Sequence, residues 1–266
     1  MQQKIVPLML ILKSKTAKIL YAIFAGIIIH FIWRNTSIVI DYFEISRTSA
    51  LGQTIRALLL TFAVFLFTAV VIKPKEVFTF LGLNSNILKG FGIALVCVLP
   101  LYIIFPIFGK FATDVSIFRI YHKCIIAGFT EELVCRAFMF GLLFRYAKTG
   151  FFWAILLPAL YFGSQHLYQG HDIVSSLFAF GVTFIGALYF SWMYAEWNFN
   201  LWVPIGLHIF MNLAWFVFTM EGTENAAGGL ISNIARVISI LLAVGLTVWY
   251  KRKNETKVFS YPVWQF

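Results

Sequence analysis

One apolar run of the sequence contains three ionisable residues within six positions, Glu131, Glu132 and Arg136. An ionisable side chain near the centre of a bilayer costs about 2.5–3.5 kcal/mol, so each one needs either a partner or a function. Glu132 and Arg136 are four positions apart, on one helix face, where they can pair. Glu131 lies about 100° around the helix and has no local partner. An unpaired carboxylate at Glu131 therefore indicates a functional site at this position.

Two further polar sites lie in later apolar runs. His166 closes the run that begins at Phe151, and His208 and Asn212 are four positions apart on one face of another run. Because these sites and Glu131 come from three helices, only the packing of a bundle can unite them. Together they would form a polar pocket with apolar walls. Such a pocket suits acid–base chemistry, stabilisation of an anion, or metal binding.

Each of these residues also has a structural interpretation when it is taken alone. The structural interpretation of the Glu132–Arg136 pair is internal support, and that of His208 with Asn212 is hydrogen bonding between helices. The prediction of a functional site therefore depends on the combination. The other three histidines lie at the ends of runs or in loops and are interpreted as interfacial: His30, His122 and His171.

The composition is typical of an integral membrane protein. Apolar residues make up 61% of the 266 residues and charged residues 12%, against about 45–50% and about 25% in soluble domains. Thirty Phe, eight Trp and eleven Tyr are too many for a surface that faces water. These values exclude a disordered chain, a soluble DNA-binding protein and a small disulfide scaffold.

Eight apolar runs approach the roughly 20 residues that a membrane-spanning helix needs. The predicted fold class is therefore all-α, a polytopic transmembrane helical bundle of about eight spanning helices around a polar catalytic cavity. A short apolar stretch at residues 5–12 predicts an interfacial helix. The predicted spans are residues 17–33, 55–72, 91–108, 124–144, 151–167, 173–194, 201–219 and 229–250.

The distribution of positive charge predicts the orientation in the membrane. The net charge is +10, and the Lys and Arg residues stand mostly in short clusters between the apolar runs. Thirteen of them fall on the side of the two termini and five on the opposite side, Arg34 among the five. Since positive loops stay inside, we expect both termini in the cytoplasm, in a bacterial cytoplasmic membrane.

Three short motifs resemble those of a known protease family. Residues 131–136 (EELVCR), 162–166 (FGSQH) and 208–212 (HIFMN) match the patterns E-E-x-x-x-R, F-x-x-x-H and H-x-x-x-N. In this order they resemble the CAAX protease and bacteriocin-processing enzyme (CPBP) family of intramembrane proteases, which includes the type II CAAX prenyl endopeptidase and lysostaphin-resistance-type proteins. The resemblance covers residues 123–218, and one departure is Ala137, where many members carry Gly.

The resemblance implies roles for the motif residues. Glu131 would activate a water molecule that His166 helps to hold. His208 and Asn212 would stabilise the oxyanion that forms on the scissile carbonyl. The residues that would support the site are Glu132 and Arg136. The expected domains are N-terminal transmembrane segments without motifs (1–120), the protease core (121–220), and a last transmembrane helix with a basic cytoplasmic tail (221–266).

The sequence therefore predicts an intramembrane endopeptidase, of glutamate type or metallo-type, that cleaves a membrane-associated peptide or protein near the cytoplasmic face. Metal-free chemistry is preferred because Asn212 beside His208 fits an oxyanion pair. Zinc held by Glu131, His166 and His208 stays open, since two histidines and a carboxylate suit catalytic zinc. No cofactor is certain.

Two other functions stay open. One is a non-catalytic membrane scaffold or bacteriocin self-immunity protein of the same family. The other is a proton-coupled transporter, against which the sequence shows no internal repeat. The expected partners are the substrate and the lipid bilayer, without nucleic acid. The substrate's identity, its prenylation and the oligomeric state are left open.

Overall fold

A computed structural model describes residues 12–220 and 226–264. The predicted all-α architecture is confirmed, because helices dominate and the described strands are only Lys110–Phe111 (β1) and Phe218–Thr219 (β2), paired antiparallel. The predicted interfacial helix at residues 5–12 lies almost entirely outside the described residues. Within the described residues the α-helices are α1 (Lys15–Tyr42), α2 (Ala50–Val71), α3 (Val77–Leu81), α4 (Ile87–Phe108), α5 (Ile117–Ile120), α6 (Ala127–Glu132), α7 (Phe151–Ser164), α8 (Ile173–Glu196), α9 (Trp202–Val217) and α10 (Leu230–Lys253).

Residues 117–146 form one continuous helical stretch, which we call the central helix. It joins α5 and α6 with three π-helical segments, Tyr121–Ile126, Leu133–Phe140 and Leu142–Tyr146. Every residue from 132 to 144 is buried. A helix that is apolar on all sides is stable only when other parts of the protein surround it. The central helix contacts α1, α2, α3, α7, α8 and α9. The central helix is therefore the axis of the bundle.

Each of the eight predicted spans contains a helix, although the span 201–219 ends in β2. Among the described residues, five helices are long and apolar enough to cross a membrane: α1, α2, α4, α8 and α10. The other three predicted spans correspond to the central helix, α7 and α9, which carry the motif residues. They are shorter or more polar, so protein must surround much of their surface.

Side-chain caps explain where several long helices begin. Ser14 accepts a hydrogen bond from the backbone N–H of Ala17, and Ser49 does the same for Gly52. Asp172 forms a capping box with Ser175 at the start of α8. Such caps satisfy backbone donors that have no partner within the helix.

The first helix is longer than predicted. The predicted span ended at residue 33, but α1 continues to Tyr42. The polar pair Arg34 and Asn35 lowers the local hydropathy without ending the helix, because apolar residues resume after them. The placement of Arg34 in a loop was therefore wrong, and Arg34 belongs to the part of α1 that faces the bundle's polar cavity.

Candidate functional site

Glu131 and Glu132 point in different directions from the central helix, as their spacing predicts. Glu132 is fully buried, whereas the side chain of Glu131 is 21% exposed. Glu132 accepts a hydrogen bond from Arg136 Nη1 at 3.0 Å. The Arg136 guanidinium also lies 4.5 Å from the ring centre of Phe162. This charge is thus enclosed by a carboxylate and by an aromatic face, which both stabilise it.

His208 on α9 joins the buried pair of Glu132 and Arg136. Glu132 Oε1 and His208 Nδ1 are 2.7 Å apart. A carboxylate can only accept here, so Nδ1 carries the hydrogen and Nε2 is the free nitrogen of the ring. His208 Nε2 lies 3.8 Å from Glu131 Oε2. Glu132 therefore orients His208, and His208 reaches towards Glu131.

A glycine permits this contact between two helices. A Cβ atom added to Gly128 would lie 2.7 Å from Ile209 Cγ1 and 3.6 Å from His208 Cβ. Those distances leave no room for a side chain on this face of α6. Gly128 therefore allows α9 to approach the central helix closely enough for His208 to reach Glu132.

Glu131 opens onto a cavity of about 230 Å³. One water molecule needs roughly 10–15 Å³ of such space, so the cavity has room for water beside part of a substrate. His166 and Cys135 line the same cavity. The structure thus brings Glu131 and His166, from two of the three motifs, to one polar space.

The local geometry determines which ring nitrogen of His166 carries the hydrogen. Its Nδ1 lies 2.8 Å from the carbonyl oxygen of Phe162, one turn earlier. Because a carbonyl oxygen only accepts, Nδ1 donates, and Nε2 keeps its lone pair in the neutral ring. His166 lies just beyond the last residue of α7, Ser164. A ring held in this way can accept a hydrogen bond from a water molecule.

Asn212 is placed differently from the other motif residues. It lies one turn after His208 on α9, but its Nδ2 donates to the carbonyl oxygen of Lys123 at 2.8 Å. It is not among the residues that line the 230 Å³ cavity. The second N–H of the amide remains for another acceptor. The structure therefore brings Asn212 near His208 without joining it to the cavity of Glu131.

The described residues do not form a ready metal site. No three His, Cys, Asp or Glu side chains within residues 12–220 and 226–264 are grouped to hold a metal ion. The zinc set considered above, Glu131 with His166 and His208, is therefore not assembled as a ligand sphere here.

Sequence reasoning missed the contribution of α1 and α2 to the cavity. His30, Trp33 and Arg34 of α1 and Arg56 of α2 all line it. His30 Nδ1 lies 3.0 Å from the hydroxyl of Tyr161, so His30 contributes to the cavity, which its interpretation as interfacial did not include. The same rule that singled out Glu131 could have found Arg56, which is also an ionisable residue within a predicted span.

The other two histidines differ from one another. His122 lines a second cavity of about 90 Å³, together with Arg56 and Glu131. His171 is exposed and lies in the turn before α8. Only His171 thus keeps the peripheral position that we expected for all three.

Comparisons with known proteins agree with the motifs. Residues 113–214 match the family model described as Type II CAAX prenyl endopeptidase Rce1-like. A protein of Bacillus subtilis (strain 168) named "Putative membrane peptidase YdiL" is 33% identical over 101 residues, which are 38% of this chain and 37% of that protein. The chain thus matches little more than a third of this relative. No solved structure shows significant similarity. The resemblance predicted from the motifs is confirmed, and all seven motif residues lie within the matched segment.

Proposed function

We propose that this protein is an intramembrane endopeptidase in which Glu131 activates the attacking water. The observation that carries the proposal is the position of Glu131. Its carboxylate lies in the middle of the central helix and opens onto a 230 Å³ cavity that His166 also lines. The Rce1-like match over the same residues supports a peptide bond as the target.

The first step uses the two acceptors in the cavity. A water molecule donates one hydrogen to the Glu131 carboxylate and the other to His166 Nε2, which leaves its oxygen lone pair free for attack. As the water oxygen bonds to the carbonyl carbon, its proton moves to Glu131. The same carboxyl group then gives this proton to the leaving nitrogen as the C–N bond breaks. Atoms and charge balance without a further reactant.

The second requirement is a donor for the oxyanion. Since His208 Nδ1 is engaged with Glu132 at 2.7 Å, Nε2 can donate only when the ring is an imidazolium. That ring would have a carboxylate on each side, because Glu131 Oε2 is 3.8 Å from Nε2. The resemblance assigns the second donor to Asn212, and its remaining N–H would have to turn towards an oxyanion beside His208, because Asn212 does not line the cavity here. One such donor contributes about 2.7–4 kcal/mol in comparable enzymes.

The activity assay compares wild type with Glu131→Gln on a library of quenched fluorescent peptides in lipid nanodiscs. Glu76→Gln is the matched control, because Glu76 is exposed and lines neither the 230 Å³ cavity nor the 90 Å³ cavity. We expect cleavage by wild type and by the control, and a loss of at least 100-fold in Glu131→Gln. Equal cleavage by all three proteins would overturn the role of Glu131. A parallel series with a chelator, followed by added zinc, tests the metal-free chemistry.

The cavity also constrains the side from which a substrate enters. Its lining includes Gln165, His166 and Tyr168, which follow the end of α7, and the second half of α1. Both of these lining segments lie at one end of the bundle. The opposite end holds Lys15, where α1 begins, and Lys253, where α10 ends. With both termini in the cytoplasm, the cavity would open towards the extracytoplasmic side, contrary to our expectation of cleavage near the cytoplasmic face.

A labelling experiment decides between these two expectations. Asp114→Cys places a thiol on the cavity side, and Glu76→Cys places one on the side of the termini. The natural cysteines Cys97, Cys124 and Cys135 are buried. With intact cells and an impermeant maleimide, we expect labelling of Asp114→Cys alone. Labelling of Glu76→Cys alone would reverse the orientation and return the cavity to the cytoplasmic side.

A further inference from the structure

A histidine and a tyrosine from two helices form a polar pair at the wall of the 230 Å³ cavity. His30 of α1 and Tyr161 of α7 both line this cavity, as Glu131 and His166 do. His30 Nδ1 lies 3.0 Å from the Tyr161 hydroxyl, and the two rings meet edge to face with their centres 5.4 Å apart. The activation of water by Glu131 and His166 uses neither residue, so the pair is available for another task.

The contact with His30 leaves the hydroxyl of Tyr161 able to donate. A phenol oxygen accepts a hydrogen bond while its own hydrogen goes to a second partner. When His30 Nδ1 carries the hydrogen, the imidazole donates to the phenol oxygen and the O–H is free for an acceptor in the cavity. The contact also holds the oxygen in place before a substrate enters. Donors fixed in this way stabilise a developing negative charge, because they need no reorganisation during the reaction.

The negative charge of the proposed reaction would develop in this same cavity. The attacking water lies between Glu131 and His166, so the carbonyl that it attacks must lie beside them. A volume of 230 Å³ corresponds to a linear dimension of about 6 Å, which is about two hydrogen-bond lengths. A donor on the wall of this space is therefore within a few ångströms of the carbonyl oxygen. Tyr161 has that position, whereas Asn212 does not line the cavity.

Other neutral donors on the wall are placed less favourably than Tyr161. Tyr168 is exposed, and Gln165 donates to the hydroxyl of Ser164 at 3.3 Å just beyond the end of α7. Tyr161 is half-buried within the last turn of that helix, where the backbone holds it more firmly. It also lies five residues before His166, so one helix end presents both side chains to the cavity.

We propose that Tyr161 donates a hydrogen bond to the oxyanion and that His30 is the positioning residue that holds its hydroxyl. The proposal rests on the proposed peptidase function and adds two residues outside the three motifs. Tyr161 keeps its proton throughout, and its hydrogen bond to the carbonyl oxygen strengthens as charge accumulates there. The group that this donor recognises is therefore a tetrahedral anion rather than a planar amide.

The test compares the binding of two probes that cannot be hydrolysed, so it remains readable if no peptidase activity is found. Both probes are apolar hexapeptides with a fluorophore at the N-terminus. In one the central peptide bond is replaced by a phosphinate, which is tetrahedral and anionic, and in the other by a neutral ketomethylene group. Fluorescence anisotropy with the full chain in nanodiscs of zwitterionic lipid gives the dissociation constants.

Wild type should bind the phosphinate at least 100-fold more tightly than the ketomethylene probe, a factor at the lower end for transition-state analogues. Tyr161→Phe should reduce this ratio by about 10- to 100-fold and change the affinity for the ketomethylene probe by less than about 3-fold. Tyr21→Phe is the matched control, because its hydroxyl donates to the carbonyl oxygen of Phe67 and Tyr21 lines neither cavity. The control should keep the ratio of wild type.

Two substitutions of His30 test its positioning role separately. His30→Asn retains a side-chain N–H near the position of Nδ1, so the ratio should stay within about 3-fold of wild type. His30→Leu removes that donor and should lower the ratio by about 10-fold. Thermal unfolding checks that each variant is folded, and His30→Leu provides a second measurement if Tyr161→Phe is unstable.

Three results would overturn the proposal. They are an equal affinity of wild type for the two probes, a ratio in Tyr161→Phe that equals that of wild type, and an equal loss of affinity for both probes in Tyr161→Phe. The last result would assign the hydroxyl to general packing of the cavity. Cleavage of the quenched peptides by wild type, together with any of these results, would leave the peptidase function standing without this donor.

Discussion

The buried pair of Glu132 and Arg136 allows a double-mutant cycle with a large expected signal. The side chains of Glu132 and Arg136 are 0% and 1% exposed, and their charged atoms are 3.0 Å apart. Removal of one partner leaves the other charge buried and uncompensated, which costs about 3–5 kcal/mol. Arg136→Met also loses the ring contact with Phe162 at 4.5 Å, which adds about 1 kcal/mol.

Glu132→Gln leaves the guanidinium without its counter-charge, so we expect a loss of about 3–5 kcal/mol in the free energy of unfolding. The double variant Glu132→Gln/Arg136→Met has no uncompensated charge. It should therefore be at least as stable as the less damaging single variant. The coupling energy should be about 2 kcal/mol or more. The double variant should still lack peptidase activity, because His208 has lost the carboxylate that orients it.

The assay is reversible unfolding in mixed micelles of dodecylmaltoside and SDS, with tryptophan fluorescence as the signal. Arg47→Met is the matched control, because Arg47 pairs with Asp41 on the exposed surface, where ion pairs contribute little. Single variants within about 1 kcal/mol of wild type, or additivity within about 0.5 kcal/mol, would refute the reasoning.

Two further predictions concern helix packing and the C-terminal tail. Gly128→Ala places a Cβ 2.7 Å from Ile209 Cγ1, so we expect at least a tenfold loss of kcat/KM on the quenched peptides. Gly92→Ala meets nothing within 4 Å and should retain activity; equal activities would contradict the packing argument. Burial, together with a hydrogen bond to Glu196 at 2.7 Å, raises the pKa of the Tyr261 hydroxyl. Because the raised pKa belongs to the folded state, this stabilisation is complete below the unfolded pKa of about 10 and decreases as the pH rises above it. Tyr261→Phe should therefore be about 1.5–3 kcal/mol less stable at pH 8, and the difference should shrink above about pH 10; a constant difference would exclude the hydroxyl as its cause.

Much of the helical architecture could be predicted because its signals are local. Apolar runs predicted every long helix, and the spacing of four predicted that Glu132 and Arg136 pair. The ends were less certain, since hydropathy falls at Arg34 although α1 continues to Tyr42. The choice of site residues came from resemblance; the match over residues 113–214 covers them, and their individual roles stay a prediction.

The arrangement of the site could not be predicted in the same way. His208 lies 76 residues from Glu132, and their contact depends on the close approach that Gly128 permits. The sequence likewise did not indicate that His30 lies beside Tyr161. Periodicity identifies the apolar face of a helix but not the helix that covers it.

The sequence alone determined the membrane environment, the helical class and the presence of costly charges that call for partners, because these depend on composition and on neighbours within one turn. Only the tertiary structure decided that Glu132 orients His208, that Glu131 and His166 share a cavity, and that Arg34 and Arg56 complete it. The physical reason is that most long helices here are apolar on nearly every side. Such helices can pack in many arrangements in lipid, so small residues and a few buried polar contacts select the neighbours.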